Sequence, residues 1–170
     1  EGNNGFTQTL CALVKNTGRK IPIIYTSSIQ AVRDNPYGVS KRGAEDHLLA
    51  LQAETESPVY IFRLPDIFGK WCRPNYNSAV ATFCYNTINE LPLTINDPNA
   101  QVTLVYIDDL VGYFIKLMDG QVNAETFPEI EPIYTATVGE LANQIQAFRH
   151  CRTSLISENV GTGLVRALYS

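Results

Sequence analysis

Ile21-Pro22-Ile23-Ile24-Tyr25-Thr26-Ser27-Ser28-Ile29-Gln30-Ala31, followed after two residues by Asp34-Asn35-Pro36-Tyr37-Gly38-Val39-Ser40-Lys41, holds the signal that decides the fold class of this chain. Ile21 to Thr26 is a short β-branched and aromatic run without polar alternation, which predicts a strand buried on both faces, as in a parallel sheet. It ends in three hydroxyl residues, Thr26, Ser27 and Ser28. A loop through Arg33-Asp34-Asn35 follows. Pro36 suits the start of a helix, because an N–H at that position has no intrahelical partner to lose. The helix is predicted from about Tyr37 to Glu54, with Ala44, Leu48, Leu49 and Leu51 as its apolar face.

Working outward, Phe6, Leu10, Leu13 and Val14 recur at helical spacing between Phe6 and Lys15, and Asn16-Thr17-Gly18 stops that helix. Val59 to Leu64 reads as a second buried strand closed by Pro65, with a loop from Phe68 to Tyr76. A helix is predicted from about Ser78 to Ile88. Val102 to Ile107 reads as a strand, and Asp108 or Asp109 then caps a helix to Met118 that stops at Gly120. Thr137-Val138-Gly139-Glu140 is a capping-box pattern opening a helix to about Arg149. Strands alternating with helices predict an α/β fold with a parallel sheet whose ligands bind at the carboxyl ends of the strands. With no internal repeat or low-complexity linker, the chain reads as one unit.

At 170 residues and 45% apolar, the chain is long enough to bury a sizeable core. A net charge of −4 with no run of Lys or Arg argues against nucleic acid or anionic membrane as a partner and favours a small ligand. The apolar stretch Val102 to Met118 is broken by Asp108, Asp109 and Lys116, so no transmembrane segment is expected. The first residues lack the basic and apolar regions of a signal peptide. Cys11, Cys72, Cys84 and Cys151 form no CxxC pair and have no histidines at zinc-like intervals. They read as reduced packing residues of a cytoplasmic protein, with no metal site. His47 and His150 are equally isolated.

Tyr37 and Lys41, four apart at a helix start, share one helix face. A free phenol titrates near 10, but an adjacent ammonium favours the phenolate and lowers that value. Tyr37 is then suited to exchange a proton with a carbonyl or alcohol oxygen, while Ser28 at the strand end hydrogen-bonds the same oxygen. A Lys four residues after a Tyr is weak by itself. Its place, at the opening of a helix behind a buried strand that ends in serines, strengthens it. A serine hydrolase is the competing chemistry, but no Gly-x-Ser-x-Gly elbow is present and neither histidine has an evident partner. A non-catalytic, dinucleotide-sensing scaffold is another class, although such proteins commonly lose the Tyr or the Lys.

The serine-ended strand and Tyr-Gly-x-Ser-Lys resemble the extended short-chain dehydrogenase/reductases, the NAD-dependent epimerase/dehydratase family. Arg63-Leu64-Pro65-Asp66-Ile67-Phe68-Gly69 is similar to that family's Arg-x-x-Asn-x-Tyr/Phe-Gly segment, and Val105-Tyr106-Ile107-Asp108-Asp109 to its strand-to-helix signature. The short Ser28-to-Tyr37 connection and Phe68-Gly69-Lys70-Trp71-Cys72-Arg73-Pro74-Asn75-Tyr76-Asn77-Ser78 resemble its bifunctional capsular-polysaccharide branch, in which a dehydrogenase domain reduces a 4-keto nucleotide sugar with NADPH and a cupin domain follows.

The resemblance implies the C-terminal part of a Rossmann-like doubly wound parallel sheet plus a small substrate-binding region. It implies NADP or NAD as cofactor, a nucleotide-sugar substrate and a homodimer. Ser28, Tyr37, Lys41 and Asn3 match its catalytic positions. Thr26, Ser27, Tyr37, Lys41, Leu64, Pro65 and Ile67 match cofactor-side positions, and Ser28, Ile29, Gln30, Asp66, Lys70, Trp71, Arg73, Tyr76 and Asn77 match substrate-side ones. Asp66 replaces the usual Asn. Val102 stands where many relatives carry a phosphate-binding Arg, a charge that Lys70 or Arg73 is expected to supply instead. Arg63 reads equally as the partner of a nearby acid. An epimerase is the nearest rival to a reductase, whereas Ser28-Ile29-Gln30 lacks the acid/base pair of a dehydratase. Because no glycine-rich turn occurs, the chain is expected to be a partial domain lacking the N-terminal cofactor-binding half, with residues 1–65 as its Rossmann part and 66–170 of mixed role, and to bind cofactor weakly alone.

Overall fold

The computed structural model describes residues 2–170, except the side chains of Asn3 and Arg152. In order, the elements are α1 (Gly2–Asn16), β1 (Ile23–Ser28), a 3-10 turn (Ile29–Val32), α2 (Pro36–Thr55), β2 (Val59–Leu64), β3 (Asp66–Phe68), α3 (Ala79–Ile88), β4 (Gln101–Tyr106), α4 (Ile107–Met118), β5 (Tyr134–Thr137), α5 (Val138–Ser154) and α6 (Gly163–Tyr169). The α/β class is as expected. The chain divides into two compact units, one running to Pro65 and including Tyr113–Ile130, the other comprising Asp66–Gly112 and Glu131–Ser170.

In the first unit β1 and β2 pair in parallel, from Ile23 opposite Val59 to Ser28 opposite Leu64. Val59, Ile61, Phe62 and Leu64 are all buried, as a continuous apolar run implies. Cys11 and Val14 of α1 and Leu48 and Leu51 of α2 pack in one cluster with Val59 and Ile61. Phe62 takes the edges of Tyr113 and Phe114, at 5.7 and 4.8 Å between ring centres. Burying such a ring is worth about 1.5–3 kcal/mol. That contact and the Ile61 N–H, which donates to the Thr126 carbonyl at 2.7 Å, hold the later segment in this unit.

The second unit contains a three-stranded sheet in the order β3-β4-β5. β3 runs parallel to β4, and β5 runs antiparallel to it with Gln101 opposite Thr137. The parallel β1–β2 and β3–β4 pairs fit the expected parallel sheet, and β5 adds an antiparallel strand beside β4. β3, β5 and α6 were not anticipated. Three or four residues are too few to show a period, and Pro65 reads as an end although it only separates β2 from β3. The core is built on Phe68, Phe83, Leu104, Tyr106, Leu141 and Ile145. Asp108 and Asp109 lie in the first turn of α4 instead of capping it.

Among the described residues, no helix is long and apolar enough to cross a membrane. The capping box at α5 is present in full: Thr137 Oγ1 accepts from the Glu140 N–H at 3.1 Å, and Glu140 Oε2 accepts from the Thr137 N–H at 2.7 Å. Thr137→Ala is expected to lower stability by about 1 kcal/mol and Thr137→Ser to retain most of it, as read from urea unfolding. Equal midpoints for Thr137→Ala and wild type would show that this cap carries no stability.

Candidate active site

The start of α2 is set by its own sequence. Asn35 caps the helix, its Oδ1 accepting from the Gly38 N–H at 2.7 Å, and Pro36 opens it. Gly38 packs against the 3-10 turn so closely that a Cβ would lie 2.5 Å from the Arg33 carbonyl oxygen and nearer still to that of Gln30. Tyr37 is thereby presented on the outside, 47% exposed.

One turn later, Lys41 reaches back to the end of β1. Its Nζ donates to the Thr26 carbonyl at 3.0 Å and lies 5.8 Å from the ring centre of Tyr37 and 5.3 Å from that of Tyr25. Burial lowers the Lys41 pKa below the ordinary lysine value, and the negative charge of Glu45 opposes that shift. Ser28 caps the 3-10 turn, its Oγ accepting from the Gln30 N–H at 3.2 Å, so its own hydroxyl proton remains available to another acceptor. Thr26 is exposed at this end of the strand. Ile29 is exposed too, whereas Gln30 Oε1 accepts from Asn35 Nδ2 at 3.4 Å. Asn3 has a side chain outside the described residues.

Sequence reasoning missed Glu45. Its carboxylate is buried and accepts from the Ser27 hydroxyl, from Arg63 Nε at 3.1 and 3.2 Å and from Arg63 Nη2 at 2.6 Å. Arg63 therefore has the acidic partner that its plain reading anticipated, and its guanidinium also lies 4.7 Å from the Phe127 ring centre. Ser27, one of the cofactor-side candidates, is buried and its hydroxyl donates to Glu45. Leu64 and Pro65 are buried as well. The available signal was spacing, since Tyr37, Lys41 and Glu45 recur every fourth residue and Glu45 adjoins the core position Ala44.

The remaining candidates belong to the second unit. Tyr76 and Asn77 line a cleft of about 550 Å³ together with Asn75, Ser78, Asn96 and Asp97. Asp66 and Asn77 line a much smaller cavity beside Val102 and Leu104. Ile67 is exposed on β3. Trp71 is fully exposed in the left-handed backbone region, at φ 68°, and Arg73 lies 5.8 Å from the Tyr76 ring centre. Lys70, a candidate for a phosphate charge, is paired with Asp108 at 2.7 Å, and Asp108 also accepts from the Tyr106 hydroxyl at 2.9 Å. Among the described residues, no group of three or more His, Cys, Asp or Glu is placed to hold a metal.

Residues 6–129 match the family model described as NAD dependent epimerase/dehydratase family. Over 169 residues the chain is 56% identical to a UDP-2-acetamido-2,6-beta-L-arabino-hexul-4-ose reductase of Pseudomonas aeruginosa, covering 99% of this chain and 45% of that protein. It superposes on the capsular polysaccharide assembling protein CapF of Staphylococcus aureus with a TM-score of 0.91 at 34% identity, covering 97% of this chain and 46% of the other. A UDP-glucuronic acid 4-epimerase of Bacillus cereus, solved with UDP-glucuronic acid and NAD, shares the fold at a TM-score of 0.73 and 20% identity. The chain thus spans less than half the length of the reductase and CapF chains it matches.

Proposed function

We propose, from the premise that this chain belongs to the NAD dependent epimerase/dehydratase family, that it carries the proton-transfer group of a reductase acting on a 4-keto nucleotide sugar with NADPH or NADH. The observation that carries this reading is the Lys41 ammonium, fixed on the Thr26 carbonyl one helical turn from the exposed phenol of Tyr37. The 56% identity to a hexulose reductase supports the substrate class.

The residues fit a nicotinamide dinucleotide. An exposed phenol and a partly desolvated ammonium beside the carboxyl end of a parallel strand are donors suited to ribose hydroxyls. When bound, the dinucleotide supplies a hydride. Tyr37 gives its phenolic proton to the carbonyl oxygen as that oxygen gains charge, so that hydride plus proton convert the ketone to an alcohol. Lys41 stabilises the phenolate left behind. Ser28, whose hydroxyl already accepts from Gln30, donates to the same oxygen and holds it in line. Taken by itself, the second unit has a cleft, lined by Tyr76 and Asn77, that presents amide and hydroxyl groups, and Arg73 lies over the Tyr76 ring.

The activity belongs to a polypeptide of the relatives' length that contains this chain. Supplied with a UDP-4-keto sugar and NADPH deuterated at its transferable hydrogen, that polypeptide is expected to consume the dinucleotide stoichiometrically and place deuterium on the new alcohol carbon. Isomerised sugar with no net NADPH consumption would replace the reductase reading with an epimerase.

A further inference from the structure

We propose that Glu45 is a positioning residue of the proton-transfer group: its carboxylate ties α2 to the ends of β1 and β2, and sets a negative charge one helical turn from the Lys41 ammonium beside Tyr37. The inference rests on the proton-transfer reading of Tyr37 and Lys41.

Glu45 is 1% exposed. A carboxylate so buried is costly unless its oxygens are matched, and here Arg63 grips both of them while Ser27 donates to one. Ser27 and Arg63 stand opposite one another in the β1–β2 register, so one carboxylate clamps the helix to both strands at a single rung. Lys41 donates to the carbonyl of the preceding residue, Thr26. Two consecutive residues of β1 are therefore fastened to α2, one by Lys41 and the next by Glu45. Ser28 follows directly, with its position determined by these two anchors.

The same arrangement acts on charge. Burial disfavours the Lys41 ammonium, and Glu45, one helical turn away, is the charge that favours it. Lys41 is faced by Tyr37 and Glu45 from α2, by Tyr25 and the Thr26 carbonyl from β1, and by Arg63 of β2 across the carboxylate. Tyr25 does not compete for the proton-transfer role, because burial first and Glu45 second push its phenol above the usual range. The helix α1, also packed on α2, sets its Lys15 against Glu54 at the opposite end.

The sign follows. Removing the negative charge lets Lys41 lose its proton at lower pH. The ammonium form, which Tyr37 needs as a proton donor, then gives way earlier as pH rises. In Glu45→Gln, the Lys41 midpoint read by NMR of 13C-lysine-labelled chain, assigned with Lys41→Arg, is expected to fall by about one pH unit. The alkaline limb of kcat/KM in the full-length polypeptide should fall with it. Ser27→Ala removes the hydroxyl and leaves the carboxylate, so the Lys41 midpoint is expected to stay where it is. A folded Glu45→Gln chain with the wild-type Lys41 midpoint would overturn the proposal. Were that variant not to fold, the wild-type Glu45 carbon signal decides: a neutral carboxyl at pH 7 overturns the clamp, and an ionised one sustains it. Full activity in Tyr37→Phe would instead remove the reading beneath it, whereas an inactive Tyr37→Phe with an unmoved Lys41 in Glu45→Gln removes only this inference.

Discussion

Tyr37→Phe is expected to lower kcat for keto-sugar reduction by about a hundred- to ten-thousand-fold, the usual worth of a positioned general acid. KM is expected to change little. The ring remains to fill its place at the start of α2, so the loss isolates the phenolic proton. No neighbour is suited to replace it. Tyr25 also lies near Lys41, but its hydroxyl is buried and its pKa is raised, which makes it the poorer donor. Ser28 orients the oxygen without the acidity to protonate it rapidly. Steady-state NADPH oxidation in the full-length polypeptide measures the effect, and turnover within a few-fold of wild type would move the proton to another group. The double variant Tyr25→Phe/Tyr37→Phe would then show whether Tyr25 had taken over.

Gly38→Ala carries the second large effect, and its sign is diagnostic. Alanine in place of glycine within a helix normally stabilises by up to about 1 kcal/mol. At Gly38 the new methyl group would collide with two backbone carbonyl oxygens, those of Gln30 and Arg33, and backbone cannot yield as a flexible side chain does. Either the first turn of α2 lifts, weakening the Asn35 cap, or the 3-10 turn moves and takes with it the Gln30 N–H that Ser28 holds. The combined cost is about 3 kcal/mol, with activity lost in parallel because Tyr37 and Ser28 shift relative to one another. Gly112 in α4 has open space around its Cβ position and serves as the control, Gly112→Ala being neutral to stabilising. Thermal unfolding of both variants checks the contrast, and a Gly38→Ala protein as stable as wild type would refute the close packing.

Much of this arrangement was legible residue by residue. β2 occupies the same residues, Val59–Leu64, that its apolar run marks out, and α2 starts at the Pro36 expected to open it. The Thr137–Glu140 box forms as its spacing implies. The pairing of Tyr37 with Lys41 needed only the helix period. What the sequence does not show is the partner that lies elsewhere in the chain. The Ser27 hydroxyl donates to Glu45 on the following helix. Lys70 pairs with Asp108 of α4.

Local signals set what each short segment becomes, because periodicity, caps and the demand for glycine act over one or two helical turns. By itself the sequence determined the α/β class, the presence and approximate place of its main helices and strands, and the placing of Tyr37, Lys41 and Glu45 on a common helix face. Only tertiary packing decided which way that face turned. It paired Glu45 with Arg63 and Ser27 across the β1–β2 rung, brought Tyr113 and Phe114 back onto Phe62, and ran β5 antiparallel to β4. Each of these rests on contacts between residues distant in the chain, where burial makes an unmatched charge or an unfilled space costly, and no local pattern encodes such a contact.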